Sequence, residues 1–355
     1  MARLVFVDHR KSSFLNSGAD DILYNRSLFA ICSQFAAEDC GKTSKKKRPA
    51  SAITESEVEI PEWPLDRDLA EGLKKFVNDH ADKFSNEIEH DAGNSRAKRA
   101  VSVIPSAYFF QGCVDQVFHN EGDMPQRYCF QNRQFLLPPR SLGLLRPLSL
   151  TATADILEAG RTLYGSGGLF NIIVMDPPWI NKSVKRQRRY MTVDTDDCLS
   201  QVAIGDLLSE SGILAVWYTH NKSHYAQLKA QLTRWNLRPA ATWTWLKVTT
   251  NALPVCPLGR NFKKPYEHVL LATRDVSHMD HLSRSDGTVA IAVPSAVHSH
   301  KPNLECLLEQ FGIHCKKLRC LELFARTLKS NWVSCGNEVL KLQCLEMFDK
   351  EATPE

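Results

Sequence analysis

The chain has 355 residues, 43% hydrophobic and 24% charged, which excludes global disorder and leaves room for a substantial core in one or two domains. Lys and Arg number 44 against 40 Asp and Glu, so the net charge of +4 is too mild to name a partner, and the placing of the basic residues matters more. The 11 cysteines are odd in number and lack paired C-x-x-C spacing, which argues against a zinc ribbon or disulfide framework and for reduced thiols.

No apolar run is long enough to span a bilayer, and Asp8, His9, Arg10 and Lys11 interrupt any signal-peptide core. A soluble intracellular protein without a membrane partner is expected. Residues 4–35 hold short apolar groups of no sustained period. Residues 41–52 are polar and basic and read as an exposed linker. Within it, Lys45, Lys46, Lys47 and Arg48 suit a nuclear-import signal or a phosphate patch as well as a solvated loop, and a nuclear location is expected on that ground. Leu69, Leu73, Phe76, Val77 and Phe84 recur at helical spacing and predict a helix over 65–88, broken by a charged turn at 91–99. Aromatic residues are frequent from 101 to 145. Residues 1–147 are expected to form a smaller accessory, nucleic-acid-binding region, and 148–355 the main domain.

From residue 148 the pattern sharpens. The run Phe170-Asn-Ile-Ile-Val-Met predicts a strand covered on both faces. Residues 202–208 read as helix, 212–218 as strand and 223–235 as helix. Strands follow at 241–248, 268–272 and 289–293, then a helix at 302–311 and a strand at 318–324. Strands alternating with helices predict an α/β fold with a largely parallel sheet covered on both faces.

Asp176-Pro177-Pro178-Trp179 follows the 170–175 strand directly, where open α/β sheets bind ligands. Two prolines fix the backbone and remove two N–H donors. A shelf is expected, with the Asp176 carboxylate and the Pro177 carbonyl as acceptors and the Trp179 face open for a planar ring. That arrangement suits methylation of an aromatic amine, whose lone pair is delocalised until two acceptors hold its hydrogens. Directly after it, Lys182, Lys185, Arg186, Arg188 and Arg189 stand beside Tyr190, a pattern suited to phosphates next to the target base, although a solvated loop is the plainer reading. Tyr190, Trp243 and Trp245 are candidates for stacking on flanking bases, while alternating tryptophans in a strand more often place at least one in the core. Lys247 and Glu267 are candidates for ordering a loop over 249–263 that is long enough to act as a lid. His298 and His300 lack a third ligand and adjoin Lys301, so no metal site is expected.

The chain resembles the MT-A family of adenine-N6 methyltransferases through Asp176-Pro-Pro-Trp-Ile-Asn-Lys-Ser-Val-Lys-Arg, Lys264-Pro-Tyr-Glu, His298-Ser-His-Lys-Pro, Leu321-Glu-Leu-Phe-Ala-Arg and Gly336-Asn-Glu-Val-Leu-Lys, in that order. The resemblance implies a permuted Rossmann-like methyltransferase sheet, in which cofactor-binding elements follow the catalytic tetrapeptide, and S-adenosylmethionine as the cofactor. It implies catalytic roles for Asp176, Pro177, Pro178 and Trp179, with Asn181 and the basic run beyond it on the substrate. It implies that Lys301 meets the cofactor's carboxylate, that Arg326 and the nearby Glu322 serve the ribose, and that Asn337 and Glu338 serve the adenosine end. Asp155 and Ile156 would bind its adenine. The implied substrate is adenine in RNA, including small nuclear RNA adenosines already methylated on the 2′-oxygen, with DNA adenine or a catalytically silent binding scaffold as alternatives. Where relatives place Trp before Gly-Asn-Glu, this chain has Cys335, which would loosen a packing wall there.

Overall fold

The computed structural model describes residues 3–12, 22–35, 66–84, 93–104, 110, 112, 115–179, 199–258 and 263–349. In chain order the strands are β1 (Leu4–Phe6), β2 (Gln116–Asn120), β3 (Gln126–Phe130), β4 (Arg133–Leu137), β5 (Ser141–Leu145), β6 (Phe170–Met175), β7 (Leu208–Tyr218), β8 (Arg238–Lys247), β9 (Tyr266–Thr273), β10 (Val289–Ala292), β11 (Cys320–Leu323) and β12 (Trp332–Gly336). The helices are α1 (His9–Ser12), α2 (Asp66–Asp79), α3 (Ser95–Val101), α4 (Ala152–Tyr164), α5 (Ile204–Leu207), α6 (Lys222–Arg234), α7 (Val276–Ser283) and α8 (Glu305–Gln310).

All strands except β3 and β4 join one sheet, in the order β1-β10-β8-β9-β7-β6-β11-β12-β5-β2. β9 runs antiparallel to β7 and β8, and β2 antiparallel to β5, while the other neighbours are parallel. This is the Rossmann-like α/β sheet that the sequence leads one to expect. Its alternation shows in β6, where Ile173 and Met175 point to one core layer and Ile172 and Val174 to the other. The first layer lies under α4 and α6, through Ile156, Leu228 and Leu232; the second lies under α7 and α8, through Leu282, Leu307 and Leu308. α4 stops at Gly165, whose φ of 71° is the left-handed conformation that glycine adopts without a Cβ penalty.

The topology sets the site. From β6 the chain passes to β7 on one side, while β11 lies on the other side and leads on to β12. The crevice outside the carboxyl ends of β6 and β11 is therefore a topological switch point, where such sheets bind ligands. The carboxyl ends of β7, β8, β10 and β12 share that rim, and antiparallel β9 begins there.

Several elements differ from the sequence reading. The boundary expected at residue 147 does not divide the sheet, because β1, β2 and β5 are part of it. These strands are too short for a period to show, and β5 finds its parallel partner β12 far along the chain, as in Leu142 opposite Val333. The helix expected over 65–88 is α2, followed by a 3-10 turn at Ala81–Lys83. Of the turn expected at 91–99, Gly93 and Asn94 have left-handed backbones but α3 already begins at Ser95, and the helix expected over 202–208 is the short α5, with β7 already beginning at Leu208. The Lys45–Arg48 run lies outside the described residues.

Candidate active site

β6 carries Asp176 into the crevice, with 13% of its side chain exposed. The two prolines turn the chain, and the turn closes when the Trp179 N–H donates to the Pro177 carbonyl at 2.8 Å. Trp179 itself is 7% exposed. Its indole N–H donates to the Trp217 carbonyl at 2.7 Å, and its ring stacks on His224 with centroids 5.0 Å apart. The open aromatic shelf expected here is thus corrected: Trp179 anchors the turn to β7 and α6, and the Pro177 carbonyl already accepts one hydrogen bond, keeping a single lone pair for another. The indole is held inward because its N–H finds a buried acceptor there. Trp179→Phe keeps a ring but leaves the Trp217 carbonyl unpaired, and is expected to lower stability by about 1–3 kcal/mol. Urea unfolding of the two proteins measures this directly.

Around Asp176 the rim assembles a chain of alternating charges. Arg326 donates through Nη1 to Asp176 Oδ2 at 2.8 Å, and Lys301 Nζ lies 3.5 Å from Asp176 Oδ1. Lys301 also donates to Glu267 Oε2 at 2.6 Å, and the other Glu267 oxygen takes Lys247. On the far side, Arg326 Nε lies 3.4 Å from Glu338, which accepts from Lys341 at 3.0 Å. Residues from the ends of β6, β8 and β12, from the segment after β10, from the turn after β11 and from the start of β9 thus meet in one cluster. Beneath it, Lys247 lies 4.5 Å from the Trp245 ring centroid and Lys301 5.5 Å from that of Trp217, so two buried tryptophans face the ammonium groups.

Burial alone would raise the Glu267 carboxyl, but the Lys301 and Lys247 ammonium groups override it and hold the group well below the usual carboxylate range. Burial would lower Lys301, yet Asp176 and Glu267 outweigh it and keep the ammonium charged. Lys247 falls below its ordinary value because burial outweighs Glu267, with Lys301 adding repulsion. Under this floor, His9 and His300 stand with ring centroids 4.8 Å apart. Burial first, then His300, pulls His9 well below its ordinary value, while burial and then Lys329 take His300 down to about 3, so both rings are neutral.

Two non-glycine residues of the crevice have left-handed backbones, Ser299 with φ 64° and Phe324 with φ 58°. Such conformations cost about 1–3 kcal/mol and persist where surrounding structure enforces them. Gly336 is part of that enforcement. A Cβ there would lie 2.5 Å from the Ala325 carbonyl oxygen, so only glycine lets the end of β12 approach the turn after β11.

The structure sorts the residues expected from the sequence. Asp176, Lys247, Glu267, Lys301, Arg326 and Glu338 come together, although they are spread over much of the chain. Glu322 faces the same crevice and pairs with Lys329 at 2.8 Å rather than with Arg326. Asn337 is exposed beside Glu338. Asp155 and Ile156 require correction: Asp155, on α4, is half exposed and pairs with Arg146, Ile156 is 1% exposed inside the core, and neither is among the residues that line the crevice at Asp176. Trp243 and Trp245 are both buried on the same face of β8 and are closed to base stacking. Asn181, Lys182, Lys185, Arg186, Arg188, Arg189 and Tyr190 lie outside the described residues. Of the loop expected as a lid, residues 249–258 and 263 are described, with Thr249, Val255 and Cys256 buried and Lys263 exposed. Cys335 is fully buried in β12, and its carbonyl accepts the Ala325 N–H at 3.0 Å. Sequence reading gave no role to Lys329, Lys341 and Trp217; Lys341 lies three residues beyond Glu338, a spacing suited to local pairing, whereas Lys329 pairs with Glu322 seven residues earlier.

The donor set fits a zwitterionic nucleoside cofactor. Lys301 and Arg326 offer cations to a carboxylate, while Asp176, Glu322 and Glu338 offer acceptors to an ammonium and to ribose hydroxyls.

The chain is 32% identical over 246 residues to the N(6)-adenine-specific methyltransferase METTL4 of Mus musculus, covering 66% of this chain and 49% of that protein. It is 40% identical over 184 residues to the N6-methyladenosine RNA methyltransferase MTA1 of Cryphonectria parasitica, covering 49% and 53%. It is 37% identical over 219 residues to the DNA N6-methyl methyltransferase of Caenorhabditis elegans, covering 61% and 56%. The chain spans about half the length of these relatives. The MT-A70 family model matches residues 170–338, from the first residue of β6 to Glu338, and so includes every residue of the charged rim but Lys341. This chain therefore carries an MT-A70 family domain.

Proposed function

We propose that this protein methylates the N6 amine of adenine in nucleic acid, with RNA as its first substrate and S-adenosylmethionine as the methyl donor. One observation carries the reading: a carboxylate, Asp176, is fixed by two cations in the switch-point crevice and is mostly shielded from water. MT-A70 methyltransferases depend on S-adenosylmethionine, which supplies an electrophilic methyl group when bound.

The residues of this chain do the rest by position and charge. Adenine's amine is a weak nucleophile because its lone pair is shared with the ring. An N–H of that amine donating to Asp176 localises the lone pair. As the nitrogen gains positive charge in the transition state, the carboxylate stabilises it without reorganising, because Arg326 and Lys301 already hold its oxygens. The remaining lone pair of the Pro177 carbonyl is a second acceptor on the same turn. The target base has to leave any duplex stack to reach this crevice, which favours single-stranded or flexible sites.

The names of the relatives support both nucleic acids, RNA for the Cryphonectria protein and DNA for the Caenorhabditis one. We place this protein with the RNA enzymes and propose small nuclear RNA adenosine, with or without a 2′-O-methyl group, as the specific target, and the nucleus as its location. The test is competition among an RNA, the same RNA with 2′-O-methyladenosine, and the equivalent single-stranded DNA, read by nucleoside mass spectrometry. Preference for either RNA is the expected result. Preference for DNA reverses the assignment, and cofactor binding with no methylation of any strand leaves only a scaffold role.

A further inference from the structure

The floor beneath Lys301 is built by residues from the start of the chain, and one of them is not explained by packing. β1 lies parallel to β10, and the Val7 N–H extends the pairing by donating to the Ile291 carbonyl at 2.9 Å. The chain therefore leaves β1 at the same rim as the site and turns at once into α1, with His9 as its first residue and 2% exposed. Its ring packs edge-on against Phe29, Trp245 and His300, with centroids 5.1, 5.4 and 4.8 Å away. An apolar side chain would suit such a place. The imidazole brings two polar nitrogens instead, and among the described residues none completes a hydrogen bond to either. A buried polar group in that state costs stability, so packing alone does not account for a histidine here.

The ring lies against segment 293–301, which carries Lys301. Backbone groups of Val293 and Lys301, at the two ends of that segment, stand close enough to oppose the fall that burial imposes on His9, as carbonyl acceptors do. The neutral ring has one N–H to offer them. Elsewhere the segment is already held: the Ala296 N–H donates to the Leu28 carbonyl at 2.7 Å, and Tyr24, stacked on Phe348 at 4.7 Å, sets its ring 4.9 Å from that of His300. His9 adds a hold at Lys301 itself, two residues beyond the left-handed Ser299. The position of Lys301 matters because its ammonium is shared unequally, 2.6 Å from Glu267 Oε2 and 3.5 Å from Asp176 Oδ1. A small retreat of its backbone breaks the longer contact first and leaves Asp176 with Arg326 alone.

We propose that His9 is a positioning residue for methyl transfer: its N–H secures the Lys301 carbonyl from below and so keeps the Lys301 ammonium within reach of Asp176. This rests on the function proposed above, because it makes Lys301 part of what orients the Asp176 carboxylate toward the amine. Hydrogen bonds of a reaction site are often long until substrate is bound, which suits a contact that is close but incomplete.

The test uses the full chain with His9→Leu, and with His9→Asn and His9→Gln, whose amides can stand where Nδ1 and Nε2 do. His9→Leu is expected to melt at or above the wild-type temperature, since it removes an unsatisfied buried group. Its kcat for transfer from S-adenosylmethionine to an adenosine-containing single strand is expected to fall about tenfold, with both KM values within about twofold of wild type. One of the two amide variants is expected to recover most of that loss. Lys301→Met leaves Glu267 with Lys247 and Asp176 with Arg326, and adding His9→Leu to it is expected to lower kcat no further, because both act through one contact. An unchanged kcat in His9→Leu overturns the proposal, as do losses that multiply in the double variant. A melting temperature that falls in step with kcat also overturns it, because His9 is then a packing residue. Amide exchange over residues 293–301, read by mass spectrometry with S-adenosylmethionine present, separates this proposal from the function it rests on. If wild type methylates no strand while His9→Leu exchanges about fivefold faster there, the methylation reading fails and the anchor on Lys301 stands. If exchange is unchanged as well, both fail.

Discussion

Asp176→Ala is expected to reduce methyl transfer to adenine by about 10²–10³-fold while the protein stays folded. The size follows from the role: a charged group fixed where charge develops contributes about that much when it acts in a site shielded from water. The fold survives because each cation on Asp176 has a second carboxylate. Lys301 keeps Glu267 and Arg326 keeps Glu338, so no buried charge is left unpaired. Asp176→Asn is expected to fall between, since an amide oxygen accepts a hydrogen bond but brings no negative charge. Single-turnover rates with saturating cofactor and nucleic acid separate this loss from any change in binding. A loss confined to KM would place Asp176 in binding rather than in transition-state stabilisation.

Glu267→Gln is expected to be the most destabilising single change in the rim, lowering unfolding free energy by about 3–5 kcal/mol. It leaves Lys247 and Lys301 facing one another across an amide, and Lys247 is already below its ordinary value through burial. Removing the pair together, Lys247→Met with Glu267→Leu, is expected to recover most of that loss, because two apolar residues need no compensation. The pH dependence has a definite sign. Glu267 has its folded-state value held well below its ordinary 4.5 by Lys301 and Lys247, against the opposing effect of burial. Its contribution is therefore present above about pH 4.5 and is lost as the pH falls toward the folded value. Urea unfolding across pH 3–7 is expected to show the gap between wild type and Glu267→Gln closing on the acid side. A gap that stays constant with pH would show that the stabilisation does not depend on the Glu267 charge.

The sequence made the centre of the sheet legible and its edges obscure, for a physical reason. β6 is a continuous apolar run because both of its faces are buried, and Asp176 follows it without a gap, so strand and site were readable together. β5 and β12 are as fully buried, but at five residues each they show no period, and nothing local tells that Leu142 pairs with Val333. Members of the ion-pair chain were legible singly, Asp176, Lys247 and Glu267 from the residues and Lys301, Arg326 and Glu338 through the resemblance, but Lys341 was not, and neither was the chain. That Lys301 stands between Glu267 and Asp176 depends on the rim bringing β6, β9 and the segment after β10 together. Burial was misjudged at the aromatics. Trp179 reads as an exposed shelf beside two prolines until the Trp217 carbonyl is seen to accept its N–H, while for Trp243 and Trp245 the sequence left stacking and core open, and both are in the core. Asp155 and Ile156 were placed at the cofactor by a weak match, and their helical setting points Ile156 into the core.

The most direct test of the account is transfer of an isotope-labelled methyl group from S-adenosylmethionine to an adenosine-containing single strand, with the product nucleoside identified by mass. Wild type and Asp176→Ala are compared at equal cofactor occupancy. The account predicts label on adenine N6 with the wild type and a loss of about 10²–10³-fold with the variant. Label on another atom, or transfer at the wild-type rate without the Asp176 carboxylate, would contradict it.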